Sequence, residues 1–480
     1  MRSTLFILTI IAIAFSACKD DEILTSPSVQ LKFSTDTIMF DTVFTGIGSA
    51  TKRFKVYNTY DQAVKISSIQ MGKGNTSKYH MNVDGYASNL VTNLEIASKD
   101  SIFVFVEVNI DPSEDDLIEE DSIVFQTNGN IQDIKMLAFG QNINLLKDSV
   151  LSTSTWGPGK PYLIYSSILV DSLETLNILP GTKVYFHEGA SLFVRGSLKA
   201  LGNISNIITF QGDRLETFYE DKPGQWGAYT YLENGATYVF GGIHFLPGSF
   251  ENEINYAIIK NANKGLQLDS AVGTQPTLKI SNTIISNMNL AGIYAQTSRV
   301  NGFNLVINNC ASHAIALTLG GDYNFNQITI ANYTPYAIRN TASVALNNYF
   351  TYNNAAYVYD LTNVTFTNSI IYGDGGDMGN EIVIDYAGEG IFNYLFDHCL
   401  VKLNEDFDAT NEDHFKNLII SPQEGPRFVN RENYIFELDT LSPAINAGKP
   451  EYGIINPIDL NGKSRTVDQS PDMGAYERNQ

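Results

Sequence analysis

The chain has 480 residues and a formal net charge of −21, because 52 Asp and Glu outnumber 31 Lys and Arg. A charge of this sign repels nucleic acid and anionic membrane surfaces, so we expect no nucleic-acid partner and no polyanionic ligand bound without help. Charged residues make up 17% of the chain, below the roughly 25% of an ordinary globular protein. The surface is therefore predicted to be rich in neutral polar and aromatic groups, and the negative charge favours a neutral or cationic ligand, or one bridged by a metal ion.

The N-terminus has the pattern of a secretory signal. Arg2 precedes an apolar run over residues 5–15, and two small residues then lead to Cys18. This run is too short to span a bilayer, which takes about 20 residues. The small residues before Cys18 resemble a bacterial lipobox, in which the chain is cut before the cysteine and its thiol is acylated. We predict a signal peptide over residues 1–17 and a lipid on Cys18; the alternative is an ordinary secretory peptide with an incidental cysteine.

An acidic tract, residues 19–22, follows Cys18 and belongs to a predicted linker over residues 18–28. It resembles the signal that some Gram-negative lipoproteins use for display on the outer surface. The resemblance implies an outer-membrane lipoprotein of a Gram-negative bacterium, exposed at the cell surface, with the membrane as a partner through the lipid.

Residues 29–147 alternate apolar and polar side chains in longer runs. About seven such runs with turn residues between them are typical of an antiparallel β-sandwich, and they cover residues 30–33, 37–44, 53–58, 64–69, 102–109, 122–126 and 134–139. Segments within this region resemble the immunoglobulin-like modules of cilia-associated and bacterial surface proteins, namely residues 54–58, 106–112 and 138–141. That resemblance implies spacing or adhesion and not catalysis.

A short apolar phrase ending in Asn recurs between residues 253 and 342. Its second apolar position is occupied by Ile259, Ile285, Ile307 and Ile330, at intervals of 26, 22 and 23 residues. Strands this short cannot bury an apolar face within one repeat and must stack on the next one. A helical solenoid is excluded because no repeat contains a long run with 3.6-residue periodicity.

The repeats therefore predict a parallel β-helix, over residues 148–440, with coils about 4.8 Å apart. Asn at the end of the repeated strand is expected to turn the corner, because Asn tolerates the left-handed conformation. The alternative is a β-sandwich with fortuitous spacing. The two remaining cysteines, Cys310 and Cys399, lie many coils apart and are predicted to be buried free thiols.

Phrases from about residue 173 to residue 477 extend this interpretation. Residues 178–186 (ILPGTKVYF), 192–202 (LFVRGSLKALG) and 224–229 (GQWGAY) resemble right-handed parallel β-helix proteins of the pectate-lyase-like superfamily, in particular secreted bacterial lipoproteins. The chain is thus expected to be all-β, with an antiparallel sandwich followed by a right-handed parallel β-helix. This architecture carries lyases, hydrolases, phage adhesins and members without known chemistry, so it leaves the activity open.

The C-terminal residues 441–480 resemble the terminal motif of bacterial β-helix surface proteins and are predicted to cap the solenoid. A cap is needed because a solenoid end exposes unpaired strand edges. Asp459, Arg465 and Asp472 are interpreted as polar ties within it, with a catalytic role as the alternative.

Two aromatic insertions interrupt the repeat, one after Trp226 and one in the interval of 41 residues between Ile330 and Ile371. Insertions in solenoids often carry the binding face, and Tyr and Trp offer flat apolar area to sugar rings. The alternative is that these aromatics only pack against the coil wall. The predicted ligand-binding residues are Trp226, Tyr229, Tyr231, Tyr349, Tyr352 and Tyr357.

A catalytic set is mostly absent. The paired-Asp and Gly-His-Gly signatures of the pectin hydrolases of this fold are missing, and the remaining candidates are Arg299, Asp322 and Arg339. Arg299 and Asp322 are 23 residues apart, so they are predicted to be neighbours in adjacent coils, and a surface ion pair is the preferred interpretation. No cofactor is predicted, with calcium as the one open alternative, and its candidate ligands are Asp374, Asp377, Glu381 and Asp385.

Three functions are compatible with these features. The first is a surface lipoprotein that binds glycan or another surface ligand without catalysis, because scaffold, anchor and aromatic insertions are present while a catalytic set is not. The second is an anchored polysaccharide lyase or glycoside hydrolase, and the third is a structural or adhesive stalk.

Overall fold

The computed structural model describes residues 22–112, 117–233, 235–271, 273–375 and 379–478. The predicted signal peptide, Cys18, the first residues of the linker and Asp377 lie outside these ranges. The chain divides into two compact units, residues 1–143 and 144–480, close to the boundary predicted after residue 147. Within the described ranges, no helix has the length and apolar character to cross a membrane.

The first unit is a β-sandwich. Its strands are β1 Lys32–Phe33, β2 Thr37–Phe44, β3 Lys52–Tyr57, β4 Val64–Met71, β5 Tyr79–Val83, β6 Tyr86–Ala87, β7 Leu90–Ile96, β8 Ser101–Val108, β9 Ile118–Thr127 and β10 Asn130–Gln141. They form two five-stranded sheets, with orders β1-β3-β8-β5-β6 and β2-β10-β9-β4-β7. Neighbours are antiparallel except β2 and β10, which run parallel.

Alternation along the strands builds the sandwich core. In β8 the side chains of Ile102, Val104, Val106 and Val108 are buried while their neighbours face outward. Each of the seven predicted runs overlaps a strand. β5, β6 and β7 were not predicted because their apolar runs are short or broken by polar residues, as at Asn93 in β7, which has φ 56°.

The second unit is a parallel β-helix in which each coil contributes a strand to sheets 1, 2 and 3 in turn. Its strands and two inserted hairpins, in chain order, are β11 Asn144–Leu146, β12 Val150–Leu151, β13 Ser154–Trp156, β14 Tyr162–Ile164, β15 Ile168–Val170, β16 Thr175–Ile178, β17 Lys183–Phe186, β18 Leu192–Val194, β19 Ser197–Leu201, β20 Ile208–Gly212, β21 Tyr229–Tyr231, β22 Thr237–Val239, β23 Ile243–Phe245, β24 Asn252–Asn255, β25 Ala257–Lys260, β26 Lys264–Asp269, β27 Leu278–Met288, β28 Ala291–Cys310, β29 His313–Asn326, β30 Thr329–Asn332, β31 Val344–Asn347, β32 Tyr349–Tyr352, β33 Ala355–Val358, β34 Leu361–Thr367, β35 Ile370–Gly373, β36 Ile382–Asp385, β37 Leu395–Asp397, β38 Leu400–Val401, β39 Phe415–Lys416 and β40 Ile419–Ile420.

Parallel pairing links equivalent strands of successive coils. Sheet 1 joins β11, β14, β17, β20 and β25 to the last part of β27 and of β28, and continues through β30, β35, β38 and β40. Sheet 2 runs through β12, β15, β18, β23, β26, the first parts of β28 and β29, β31 and β36. Sheet 3 runs through β13, β16, β19, β24, the first part of β27, the middle of β28, the last part of β29, β34, β37 and β39.

The repeated isoleucines occupy one inward column of sheet 1. Ile259 pairs with Ile285, Ile285 with Ile307 and Ile307 with Ile330, and all four side chains are fully buried. The coil register predicted from the repeat is therefore confirmed. A second column in sheet 3 stacks Phe325 on Phe366 and Phe366 on Phe396, with ring centroids 5.0 Å apart in both pairs.

Left-handed residues turn two corners of the coil. Asn261, Asn287 and Asn309 end the sheet 1 strands with φ of 68°, 58° and 53°, as the repeat predicted. Asn332, the fourth, instead accepts a hydrogen bond from the backbone N–H of Cys310. A second ladder of left-handed residues, unassigned from the sequence, turns the corner from sheet 3 to sheet 1, as at Asn304 with φ 50°.

The C-terminal segment covers the outward face of sheet 1. It contains β41 Phe428–Asn430, β42 Ile435–Leu438 and the short helix α1 Pro450–Ile455. Phe436 and Leu460 pack on the outward side chain of Val306, and Met473 packs on that of Leu400. The predicted cap therefore packs along the side of several coils.

Buried polar ties hold this segment. The Arg465 guanidinium is fully buried and donates to the Glu477 carboxylate at 3.1 Å and to the Asn304 side-chain oxygen at 3.0 Å. Asp459 and Asp472 accept backbone N–H groups of the same segment, so the predicted polar ties are confirmed. Burial and the nearby charge of Asp472 raise the pKa of Glu477 to about 7.

The two cysteines of the β-helix are free and fully buried, as predicted. Burial raises the pKa of Cys310 and that of Cys399 to about 12. Both thiols therefore behave as small apolar core groups.

Replacing Ile307 by Asp is expected to destabilise the β-helix by at least about 3 kcal/mol, because a carboxylate would be buried between two coils without a partner. Both tryptophans, Trp156 and Trp226, lie in the β-helix, so tryptophan fluorescence during chemical unfolding reports this unit. Asn301→Asp, at an exposed position of the same coil, is the matched control and should unfold with the wild type. Equal midpoints for all three proteins would contradict the register.

Candidate functional site

Two aromatic hairpins border the outward face of sheet 2. The first, β21–β22, lies between sheet 1 and sheet 2 and precedes β23, whereas the second, β32–β33, follows β31. β23 and β31 are joined through β26, β28 and β29, which places the two hairpins about 19 Å apart along the axis at roughly 4.8 Å per coil. We call this surface, with its two hairpins, the hairpin face.

Local sequence explains the second hairpin. Tyr352 and Ala355 pair across a two-residue loop, and the loop residues Asn353 and Asn354 have φ of 48° and 61°. Positive φ at both positions gives a turn whose twist matches that of the flanking strands, and Asn tolerates it well.

The hairpins expose most of the predicted aromatic residues. Tyr231 is 74% exposed and Tyr352 61% exposed, and Tyr229 and Tyr357 are close to half exposed. Tyr357 stacks on Phe350 with ring centroids 5.0 Å apart, which fixes its orientation. Tyr349 is less exposed and donates its hydroxyl hydrogen bond to Asp385 at 3.0 Å.

Trp226 is not part of this surface, and its prediction as a ligand contact is wrong. Its indole is fully buried, stacks on Phe186 with ring centroids 3.9 Å apart, and donates its N–H to the Lys260 carbonyl at 2.9 Å. Gly242 leaves the space for it, because a Cβ there would meet the indole at 2.5 Å. The residue therefore fills the core where the coil opens for the first hairpin.

A polar network lies under the first hairpin. The His244 imidazole is 2.6 Å from the Asp269 carboxylate, which also accepts from the Gln267 amide at 3.3 Å. The same amide donates to the Tyr238 hydroxyl at 3.1 Å and so ties the hairpin to sheet 2. Phe240 packs beside His244, with ring centroids 5.9 Å apart.

Lys264 extends this network across the sheet. Its ammonium donates to the Val239 carbonyl at 2.8 Å and to the Gln267 oxygen at 3.2 Å, and it lies 4.5 Å from the centroid of the Tyr294 ring. Burial lowers the pKa of Lys264 from 10.5 to about 8, against the opposing charge of Asp269. The floor of the hairpin face thus combines aromatic rings with the half-buried Lys264 and Asp269, which the buried Gln267 and His244 hold in place.

These floor residues were not identified from the sequence. His244, Gln267 and Tyr294 form one outward column of sheet 2, so their near-coil spacing was an available signal. This signal was obscured because the three residues are of different types. The first hairpin also changes the spacing from one coil to the next.

A small pocket opens beside the base of the second hairpin. It has a volume of about 220 Å³ and is lined by Arg299, Asp322, Tyr359 and Asp360, among others. Arg299 and Asp322 are directly paired neighbours, so their predicted proximity is confirmed.

The prediction of an ion pair between Arg299 and Asp322 is wrong. Arg299 donates to the Gly273 carbonyl, and Asp322 accepts from the Asn363 amide at 3.2 Å. No ion pair within 4 Å joins the two among the described residues. Side chains of adjacent parallel strands project side by side without necessarily contacting each other. Here Arg299 bonds to a neighbouring loop, and Asp322 bonds to a residue of the next coil.

Arg339 is a buried structural residue, which corrects its place among the catalytic candidates. Its guanidinium is fully buried and contacts the Glu381 carboxylate at 2.7 Å and the Asp374 carboxylate at 2.9 Å. Glu381 also accepts from the Ser343 hydroxyl and the Gly375 N–H. A side chain held in this way cannot contact a ligand in a groove.

The candidate calcium ligands within the described ranges, Asp374, Glu381 and Asp385, do not converge. Asp374 and Glu381 share the positive charge of Arg339, and Asp385 lies four residues beyond Glu381 on an extended strand, about 13 Å away. Asp385 is instead bonded to Asn347 and Tyr349. The described part of the chain holds no cluster of three or more His, Cys, Asp or Glu suited to a metal ion.

No protein-family model matches the chain, and a search of curated proteins gives no significant match. Among solved structures, the chain is similar to the catalytic unit of a family 87 α-1,3-glucanase from Streptomyces thermodiastaticus, with 11% identity, a TM-score of 0.25 and coverage of 78% of this chain and 90% of that one. A second family 87 α-1,3-glucanase catalytic domain, in complex with nigerose, gives 9% identity, a TM-score of 0.21 and coverage of 78% and 87%.

A further match is a family 123 glycoside hydrolase from Clostridium perfringens, with 10% identity and a TM-score of 0.18. This match covers 24% of this chain and 26% of that one, about a quarter of its length. Likenesses this low carry no information on activity or ligand, which depend on this chain's own side chains.

The environment of Lys264 can be tested by titration. After reductive methylation with ¹³C, we expect one lysine resonance to titrate near pH 8, and this resonance should be absent from Lys264→Arg. The reason is that the ammonium is partly desolvated under Tyr238 and Tyr294. The structure of the hairpin face would be contradicted if every methylated lysine titrated as in an unfolded chain.

Proposed function

We propose that this chain is a surface-anchored lipoprotein whose hairpin face binds a neutral glycan without cleaving it. The observation that carries the proposal is the pair of aromatic hairpins that border one sheet face, with exposed tyrosines on both. Aromatic rings pack on the apolar faces of sugars, and their hydroxyl groups remain available for hydrogen bonds. The separation of the hairpins along the axis suits an extended ligand.

The polar floor supports the same ligand class. Lys264 and Tyr294 are half-buried on this face, so their ammonium and hydroxyl groups offer a donor and an acceptor to a ligand covered with hydroxyl groups. The fully buried Gln267 amide holds Lys264 and Tyr238 in place beneath them. The buried His244 imidazole contacts Asp269 and so fixes that carboxylate beside Gln267. With a net charge of −21 on the chain, a neutral glycan meets less repulsion than an acidic one.

Non-catalytic binding fits the arrangement of charged groups. Arg339, the most buried of the candidate catalytic residues, is neutralised by carboxylates, and Arg299 is bonded to a backbone carbonyl. A lyase needs a base beside groups that neutralise an acidic sugar, and a hydrolase needs two carboxylates flanking one bond. The proposal therefore assigns the hairpin face to recognition and invokes no cofactor.

The predicted anchor completes the proposal. A lipid on Cys18 would hold the chain to the outer membrane of a Gram-negative bacterium, and the sandwich would separate the β-helix from the lipid in the sequence. Binding to a glycan at the cell surface is the use that such an order of parts would serve.

Binding should depend on the exposed tyrosines. The double variant Tyr231→Ala/Tyr352→Ala is expected to weaken glycan affinity at least about tenfold, which corresponds to about 1.4 kcal/mol. The measurement is calorimetry with neutral hexasaccharides of glucose, xylose and mannose, together with analysis of the products.

Tyr86→Ala is the matched control, because Tyr86 is 60% exposed but lies in the sandwich. Release of unsaturated or reducing-end products by the wild type would replace the proposal with a lyase or hydrolase. Equal affinity of the wild type and the double variant would show that the hairpins do not bind the glycan. If the wild type bound none of the glycans, the structural or adhesive stalk would be the remaining function.

Cys18 should carry the lipid. Metabolic labelling with a palmitate analogue is expected to mark the wild type and not Cys18→Ser, because acylation requires the thiol. Cys310→Ser is the control for loss of a cysteine, since that thiol is buried and labelling should persist. Equal labelling of wild type and Cys18→Ser would refute the anchor.

A further inference from the structure

A second groove runs along the outward face of sheet 3. Two adjoining cavities of about 240 Å³ and 560 Å³ share Lys279 as a lining residue. Direct strand pairing places Lys199, Glu253, Lys279, Asn301, Asn324 and Thr365 in a single column along this face. The column crosses five coil steps, roughly 24 Å at about 4.8 Å each. We call it the axial groove.

The floor of the axial groove is a ladder of neutral polar groups. The Asn324 amide donates to the Asn301 oxygen at 3.3 Å. The Asn324 oxygen accepts from Asn363 at 3.0 Å and from the Thr365 hydroxyl at 2.9 Å. These contacts hold the rungs in fixed orientations, so a ligand does not have to order them on binding.

The ladder has hydrogen-bonding capacity to spare. An Asn side chain can make about four hydrogen bonds, and within the described ranges Asn301 makes one, with Asn324. Lys279, the next rung, is exposed and has no ion pair or hydrogen bond among the described residues. Both rungs therefore present polar atoms to whatever lies in the groove.

The short C-terminal helix α1 supplies an apolar wall. Ile455 is 68% exposed and lines the groove together with the Tyr452 ring. The helix is fixed in place because Tyr452 donates to Asp397 at 2.8 Å and Asn456 donates to Asn326 at 2.8 Å. A tyrosine ring and an aliphatic side chain beside a hydrogen-bonding floor match the two kinds of surface on a sugar ring.

The charges that line the axial groove also bear on which class of ligand it can bind. One end of the groove carries Lys199 and Lys279 together with Glu251 and Glu253, and these charges cancel. The ladder itself is neutral, and the chain as a whole is strongly acidic. Neither a polyanion nor a polycation is favoured here, whereas a neutral chain of hydroxyl groups would meet donors and acceptors over the whole length.

We propose that the axial groove is a second glycan-binding site, which takes a neutral glycan chain lengthwise along the β-helix. It is built from sheet 3 and helix α1, and it shares no residue with the hairpin face on sheet 2. It therefore stands on its own contacts and does not require that the hairpin face binds glycan. Two sites on one anchored chain would raise the effective affinity for a glycan polymer.

The test blocks each site separately. Asn301→Trp fills the groove from an exposed position, and Ile455→Ser removes apolar wall from an exposed side chain, so neither change disturbs the core. Lys183→Trp, at an exposed strand position of sheet 1, is the matched control for Asn301→Trp. Calorimetry uses neutral hexasaccharides of glucose, xylose and mannose, with hexagalacturonate as the charged comparison.

We expect the Tyr231→Ala/Tyr352→Ala variant to lose the contribution of the hairpin face but to keep residual binding of a neutral hexasaccharide in the axial groove. Asn301→Trp in that background should weaken this residual binding at least tenfold. Ile455→Ser should weaken it severalfold, and Lys183→Trp should leave it unchanged. Hydrogen exchange in residues 449–456 should slow when the sugar binds. If the hairpin variant still binds but Asn301→Trp has no effect, or if hexagalacturonate binds as well as the neutral sugars, the axial groove is not this site.

The two proposals fail in different ways. Loss of all binding in the hairpin variant would overturn the axial groove and support the hairpin face. Unchanged binding in the hairpin variant with loss in Asn301→Trp would support the axial groove and remove the hairpin face. Capture of a neutral peptide in place of sugars, sensitive to Asn301→Trp, would assign the groove to a different ligand and overturn the proposal.

Discussion

The inward stacking of apolar side chains from coil to coil is the interaction on which the rest of this structure depends. No coil can bury its own apolar face, so Ile307 is covered by Ile285 on one side and by Ile330 on the other. This stacking fixes the register of every strand. Once the register is fixed, outward residues at matching positions also form columns, and both the hairpin face and the axial groove consist of such columns.

The inward part of this arrangement was readable from the sequence, because the same chemical requirement recurs in each coil. Ile259, Ile285 and Ile307 must all be apolar, so their spacing stands out, and the corner residues Asn287 and Asn309 repeat for a similar reason. Outward positions carry no such requirement. The column of His244, Gln267 and Tyr294 changes residue type at every coil, and only the paired strands reveal it.

The burial of individual side chains could not be predicted from the sequence. Trp226 and Tyr231 both belong to an aromatic segment around one insertion, yet the first is fully buried and the second is largely exposed. The difference depends on Gly242, whose missing side chain leaves room for the indole. The sequence made Arg339 a catalytic candidate and Glu381 a candidate calcium ligand, but the two form a buried ion pair because the chain between them folds back over 42 positions.

The two proposed binding surfaces share one construction, in which a segment added to the repeat borders the outward face of a sheet. A β-helix core tolerates additions only where they leave the stacking intact, which restricts them to corners and to the outward faces. Two hairpins lie at the corners of sheet 2. Helix α1 of the C-terminal segment lies beside sheet 3, where a hydrogen bond between Asn456 and Asn326 fixes it. In both cases the repeating coils supply the rigid floor, and the added segment supplies the wall, which is aromatic on the hairpin face and apolar in the axial groove. Recognition could therefore change through substitutions in the hairpins or in α1 while the buried columns, and with them the stability of the fold, stay the same.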